Sequence, residues 1–325
     1  MPEGSLGPGW CIVDGVPSAW FDAPSLSAGA RLAERVLALA VKSAVDLRPE
    51  GVRVRLEVPV RTEAVSQAAA ELGLEARAEA LQQVSVVIES PQPNALRPFW
   101  RRVLGYANNA DGLADPLGDT PATADWHTVF SAIACYCTTS RAQQHALAST
   151  AAHLAERASF PLLIDLRPGV VVLDSGKDRW ETHGPDVDFP ALAAQVQTAA
   201  HELGATPDTR LPQLVQLFLD AADVEGLRAF WARALGYRPD ERAEVTDLVD
   251  PRRVDPILVM QPVDTTETAR LRQRNRLHVE LAVPAQHAEA RAAQVLDAGG
   301  RLLHEQPGRW TLADPEGNEL VVAAG

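Results

Sequence analysis

The sequence predicts an α+β chain built from a mixed helix-and-strand unit that occurs twice, the first time cut short. A repeated phrase is the clearest sign: LRPFWRRVLGY begins at Leu96 and LRAFWARALGY at Leu227, 131 residues apart and identical at eight of eleven positions. Upstream of each, LAER (Leu32, Leu154), DLRP (Asp46, Asp165) and ELG (Glu71, Glu202) recur in the same order. A period of about 120 residues is too long for a solenoid repeat and suits a tandem pair of domains. The second sign is that apolar spacing switches between helical and alternating in the same sequence within each copy.

Each copy opens on an Ala- and Leu-rich helix, SAGARLAERVLALAVK or QQHALASTAAHLAERAS. Strands follow at GVRVRLEVPV, where Val52, Val54, Leu56 and Val58 alternate with polar residues, and at GVVVLDSG. A second helix, EAVSQAAAELG or PALAAQVQTAAHELG, stops at Gly73 or Gly204, residues suited to a left-handed C-cap. Copy one adds WCIVDG and WFDA, a candidate hairpin, and copy two adds the polar stretch GKDRWETHGPDVDF, a surface loop. QQVSVVIES or PQLVQLFLD then reads as a strand leading into the repeated phrase, a helix with Leu96, Phe99, Trp100, Val103 and Leu104 on one face. Gly105 and Gly236 end it, so packing is the simplest account of the repetition. Only copy two continues, through strands PILVMQPV and NRLHVELAVP, helix AEARAAQVLDAGG, and strands RLLHEQ, RWTLAD and NELVVAA. The expected domains are residues 1–81, 82–120, 121–210 and 211–325.

A net charge of −13 and a pI near 5.1 argue against nucleic acid, which is bound through clustered Lys and Arg. No apolar run approaches the length of a membrane helix. The expected setting is cytoplasmic, with Cys11, Cys135 and Cys137 as reduced thiols. Cys135 and Cys137 share a strand face but lack the further Cys or His of a zinc site, and read as small buried apolar residues.

NRLHVELAVP, WTLADPEGNELVV and FWARALGY together make residues 211–325 resemble the glyoxalase-like branch of the vicinal oxygen chelate superfamily. Residues 1–81 and 121–210 resemble pterin-4a-carbinolamine dehydratases, and residues 82–120 resemble half a glyoxalase-like module. The resemblance implies paired βαβββ modules whose cupped sheet encloses a ligand. It also implies a His-His-Pro motif before each DLR strand. Val41 and Lys42 stand at the histidine positions in copy one, and Phe160 and Pro161, or Ser159 and Phe160 with one gap, in copy two. No histidine stands there in either copy, which counts against dehydratase activity.

At the four strand positions that point into the cup of metal-dependent relatives, the resemblance places Gln216 and His278 but also Val321, and ILVMQPV offers no carboxylate. Two donors would hold a divalent ion weakly, so the expectation is a cup without a cofactor, Gln216 and His278 remaining the residues for any metal. Strand parity suggests instead a polar cluster of Gln216, Arg276, His278, Glu280 and Glu319 against an apolar wall of Leu214, Phe218 and Met260. In that reading His278, Glu280 and Glu319 are the acid and base groups, and Gln216, Phe218, Met260, Arg276 and Trp310 hold a small organic ligand. Arg276, Glu280 and Glu319 could equally pair as structural ions at the sheet rim. The functional expectation is a metal-independent lyase, isomerase or cyclase, with a non-catalytic small-molecule binding or resistance protein as the alternative. The orphan half module, residues 82–118, needs cover for its sheet edge, expected from a second chain in a homodimer or from the dehydratase-like units.

Overall fold

The structure, a computed structural model, describes residues 6–103, 115–118, 120–128, 130–182, 187–242, 244–271 and 275–325. Gly105 and the end of the first phrase lie outside the described residues. The chain divides into two compact units, one comprising Met1–Trp10, Pro17–Ala78 and Pro98–Leu214, the other Cys11–Val16, Glu79–Arg97 and Val215–Gly325.

The first unit shows the duplication as near-symmetry. Its central strands lie in the order Val16–Asp22, Gly51–Leu56, Ser43–Arg48, Leu163–Arg167, Val170–Asp174 and Ala132–Cys137, every neighbouring pair antiparallel. The two copies meet at the middle, where Ser43–Arg48 pairs with Leu163–Arg167 and Asp46 faces Asp165 across the ladder. Helices Leu26–Ala38 and Arg141–Arg157 pack against each other, each capped by a serine: Ser25 accepts from the Ala28 amide and Ser140 from the Gln143 amide. The second LAER motif supplies a tie between them, because the Glu156 carboxylate accepts from the Ser27 amide at 2.7 Å and its hydroxyl at 2.6 Å. The second helices, Thr62–Glu71 and Phe189–Glu202, end as expected at Gly73 and Gly204, with φ of 71° and 72°.

The sheet face toward the helices carries Val45, Leu47, Val52, Val54, Ile164, Leu166 and Tyr136, all within the main hydrophobic core. Cys135 is buried as expected, and burial pushes its thiol up to about 12, too high for a nucleophile at neutral pH. Among the described residues no helix is long and apolar enough to cross a membrane.

The second unit contains strand, helix and three strands in that order twice. The first run is Gln216–Ala221, helix Val224–Leu235, Arg238–Pro239, Asp247–Val249 and Ile257–Pro262; the second is Leu277–Val283, helix Ala285–Asp297, Arg301–Gln306, Arg309–Ala313 and Glu319–Ala324. In each the first and last strands pair in parallel, Gln216 opposite Ile257 and Val279 opposite Leu320. Gly236 ends the repeated phrase in the left-handed conformation at φ 67°, as its position predicts. Strand Gln216–Ala221 starts four residues later than the apolar run PQLVQLFLD suggests, and the short strands Arg238–Pro239 and Asp247–Val249 carry too few residues for a periodicity signal.

The orphan strand of copy one finds a partner strand within the second unit. Gln83–Ile88 lies antiparallel on Leu277–Val283 in the second unit, with Val84 opposite Leu281 and Val87 opposite His278. Val84 is buried in the same core as Leu281 and Val322. Buried Asp255 accepts from the Val84 amide at 3.0 Å and from the Gln82 side chain at 3.3 Å, and Arg291 donates to Gln82 at 3.0 Å. Asp255→Ala strands these buried donors and is expected to cost about 1–3 kcal/mol. Faster hydrogen exchange at the Val84 amide, with Leu173 in the first unit unaltered, would show it. Residues 79–97 belong to the same compact unit as Val215–Gly325.

Candidate functional site

The site lies in the second unit, in a cavity of about 520 Å³. Strand alternation sorts its walls. Leu217 and Leu219 lean on the helix-covered core, so Gln216, Phe218 and Asp220 face the other way, and Phe218 is 53% exposed. On Leu277–Val283 the core takes Val279, Leu281 and Val283, which turns His278 and Glu280 to the opposite face. Continuing the register of Val279 with Leu320 brings His278 beside Glu319 at the start of the parallel neighbour. Gln216, Phe218, His278 and Glu319 all line the cavity.

Two of these residues carry unsatisfied polar atoms. The His278 side chain is only 10% exposed, and neither ring nitrogen makes a hydrogen bond; Gln216 Oε1 is likewise buried without a partner. Buried polar atoms in native proteins are paired with few exceptions, so donors and acceptors converging on one cavity mark a place for a ligand or water.

The other expected residues stand elsewhere. Glu280 forms a two-pronged ion pair with Arg309, at 3.0 and 2.6 Å, and does not line the cavity. That hydrogen bond raises the Arg309 guanidinium further, and it ties Glu280 to a different arginine from the Arg276 of the rim-ion reading. Met260 is 1% exposed inside the core. Its register explains this: Met260 sits opposite Leu219, and Val259 opposite Phe218, so the methionine shares the helix-facing side. Trp310 likewise faces the core, opposite Val322, and its indole donates to Glu305 at 3.2 Å. The Arg276 side chain is exposed and its carbonyl accepts from the Glu89 amide at 2.8 Å.

Sequence reasoning missed Val86, Glu89, Asp220, Asn275 and Asn318. Val86, Asp220, Asn275 and Asn318 line the cavity, and Glu89 Oε1 lies 3.5 Å from His278 Nδ1. Val86 and Glu89 belong to the first copy, and no spacing rule connects them to a histidine in the second.

The turn ADPEGN behaves as its residues predict. Asp314 accepts from the amides of Glu316 and Asn318 at 2.9 and 2.8 Å, and Gly317 takes a φ of 99°. Asp314 also accepts from the Trp231 indole at 2.9 Å, while Glu316 accepts from the Ala222 and Asp223 amides at the start of helix Val224–Leu235. The turn therefore fixes the edge of the cavity to the repeated phrase. Residues 216–323 match the family model of a glyoxalase-like domain.

The glyoxalase-like domain accounts for one third of the chain. No curated protein matches the sequence. Among solved structures, the hypothetical protein SA1046 from S. aureus matches with 14% identity and a TM-score of 0.29, over 35% of this chain and 95% of that one. The fosfomycin resistance protein FosX from Mesorhizobium loti matches with 11% identity and a TM-score of 0.30, over 35% and 93%.

A divalent metal fits the cavity of the glyoxalase-like domain poorly. Gln216 and His278 are the expected donors, but Val321 is a buried aliphatic at the final position, and Glu89 is 37% exposed. Among the described residues no three His, Cys, Asp or Glu side chains converge as a metal would require. At the positions before the two DLR strands, Phe160 is 2% exposed in the core against Phe189, and Lys42 is tied to Glu57 at 3.1 Å on the surface.

Proposed function

We propose that the glyoxalase-like domain binds a small organic molecule in this cavity and converts it by metal-independent acid/base chemistry of the lyase or isomerase type centred on His278. The observation that carries the reading is the convergence of Gln216 Oε1 and both His278 nitrogens, buried and without hydrogen bonds, on one cavity of about 520 Å³, within the usual size of small-molecule sites. Phe218 offers an apolar wall for the ligand body. Gln216 accepts a ligand N–H or O–H. His278 accepts or delivers a proton, and Glu319 lies on the same face to share it.

A second reading, a binding or resistance protein without turnover, draws support from the Glu280–Arg309 ion pair, which removes the nearest carboxylate of the same strand from acid/base duty. For residues 1–81 and 121–210 we propose an ancestry shared with carbinolamine dehydratases but not their activity, supported by the twice-repeated order of helix, two strands and helix and by the lack of histidine at the expected positions.

Native mass spectrometry of protein purified from its own host tests the site. An added mass of a few hundred daltons, absent from Gln216→Leu, is expected. With the compound identified, His278→Ala should keep it bound and slow its conversion about 10²–10⁴-fold. Binding without conversion in the wild type selects the second reading. A compound held equally by wild type and Gln216→Leu places the site elsewhere.

A further inference from the structure

His278 enters the cavity from the second copy of the repeat, and the nearest carboxylate to its ring comes from the first. We propose that the truncated first copy completes the C-terminal cavity, with Val86 in its wall and Glu89 as the positioning residue that fixes the His278 tautomer; this rests on the reading of the cavity as a ligand site. Three observations converge. The ladder between Gln83–Ile88 and Leu277–Val283 places Val87 opposite His278, and Glu89, two residues on, points to the same face. The Glu89 amide donates to the Arg276 carbonyl at 2.8 Å, which extends the ladder by one bond and holds the Glu89 backbone in place. From there Glu89 Oε1 lies 3.5 Å from His278 Nδ1, one small side-chain rotation from a hydrogen bond.

Chemistry decides which ring nitrogen takes the proton. The neutral imidazole has one N–H and one lone pair, and the hydrogen bond made by one nitrogen sets the role of the other. Glu89 is a carboxylate and only accepts, so it selects the form with the proton on Nδ1. Nε2 is then left as the lone-pair nitrogen available to a ligand. Glu280, the carboxylate expected from sequence, is committed to Arg309 and cannot supply this bond. A retained strand of the first copy therefore does more than cover a sheet edge: it donates the orienting group that the second copy lacks.

The test uses the full chain with ¹⁵N-labelled histidine, at a pH where the imidazole is neutral and with no ligand added. Long-range proton–nitrogen spectra separate the two tautomers, and the chain's eight histidines are assigned with the help of His278→Gln. The wild type should show the Nδ1–H form in at least about tenfold excess, the bias a hydrogen bond to a charged acceptor supports. Glu89→Gln keeps an acceptor and should keep the preference in weakened form. Glu89→Leu should release the ring to a mixture, while thermal unfolding moves little because Glu89 is partly exposed. A wild-type ring protonated on Nε2, or a Glu89→Leu spectrum identical to wild type, overturns the assignment. If Glu89→Leu does not fold, the wild-type and Glu89→Gln spectra still decide. The ring is read without substrate, so an inert cavity leaves this result standing and a failed tautomer leaves ligand capture intact.

Discussion

Phe230→Ala is expected to cost the C-terminal unit about 3–5 kcal/mol, whereas Phe99→Ala, at the same place in the other copy of the phrase, should change stability by about 0.5 kcal/mol or less. Both substitutions remove the same ring from the same helical position. Phe230 is 2% exposed, edge-on to Trp231 at 5.7 Å, in a core that also contains Leu258, Ala292 and Val295. Its loss forfeits the transfer energy of the ring and leaves a cavity, because Trp231 is held by the Asp314 hydrogen bond and cannot collapse into the space. Phe99 keeps the edge-on arrangement with Trp100 at 5.4 Å but is 57% exposed. Native-state hydrogen exchange in Leu277–Val283 measures the first cost, and urea unfolding of the whole chain measures both. A Phe99→Ala penalty comparable to that of Phe230→Ala would mean that the first helix face is covered in solution.

That contrast marks what the sequence could convey. The phrase identifies a helix with one apolar face in both copies, and Pro93–Val103 and Val224–Leu235 are helices. Whether the face is buried depends on strands that follow only the second copy, a long-range fact that local spacing does not carry. The same limit explains the site. Gln216, Phe218, His278 and Glu319 were legible because each sits in a strand whose neighbours alternate cleanly. Met260 was misplaced because LVM at Leu258–Met260 is apolar on both faces, and only the pairing of Leu219 with Met260 reveals which side the sulfur takes. Glu280 was legible as a neighbour of His278 but not as the partner of Arg309, which lies two strands away, across Glu319–Ala324. Glu89 could not be read at all, since its role depends on a strand crossing from the truncated copy into the complete one.

Asp46→Ala is expected to destabilise the first unit by about 3–5 kcal/mol, because it leaves buried arginines without their counter-charge. The Asp46 side chain is 1% exposed and accepts from Arg53 at 2.6 Å, with Arg55 at 3.5 Å. Burial pushes its carboxyl upward, but Arg53, Arg55 and Arg48 together outweigh burial and hold it well below the usual carboxylate range. The sign follows from that direction. The folded pKa lies below the unfolded one, so the contribution is fully present above the unfolded value of about 3.9 and is lost as pH falls from there through the folded value. Acid unfolding of the first unit should therefore be shallower in Asp46→Asn than in the wild type, and equal slopes would remove Asp46 from the acid response. The repeated DLRP motif makes the arrangement necessary. Register sets Asp46 directly opposite Asp165, a like-charge pair that is unfavourable unless compensated. On its other side Asp46 faces Arg53, whereas the equivalent partner of Asp165 is Val172. The second copy lacks its own arginine there, so Arg48 of the first copy reaches across to Asp165 at 2.7 Å. Arg48→Leu should consequently cost more than Arg167→Leu, since Arg167 is 56% exposed and its pairing with Asp165 is screened by solvent.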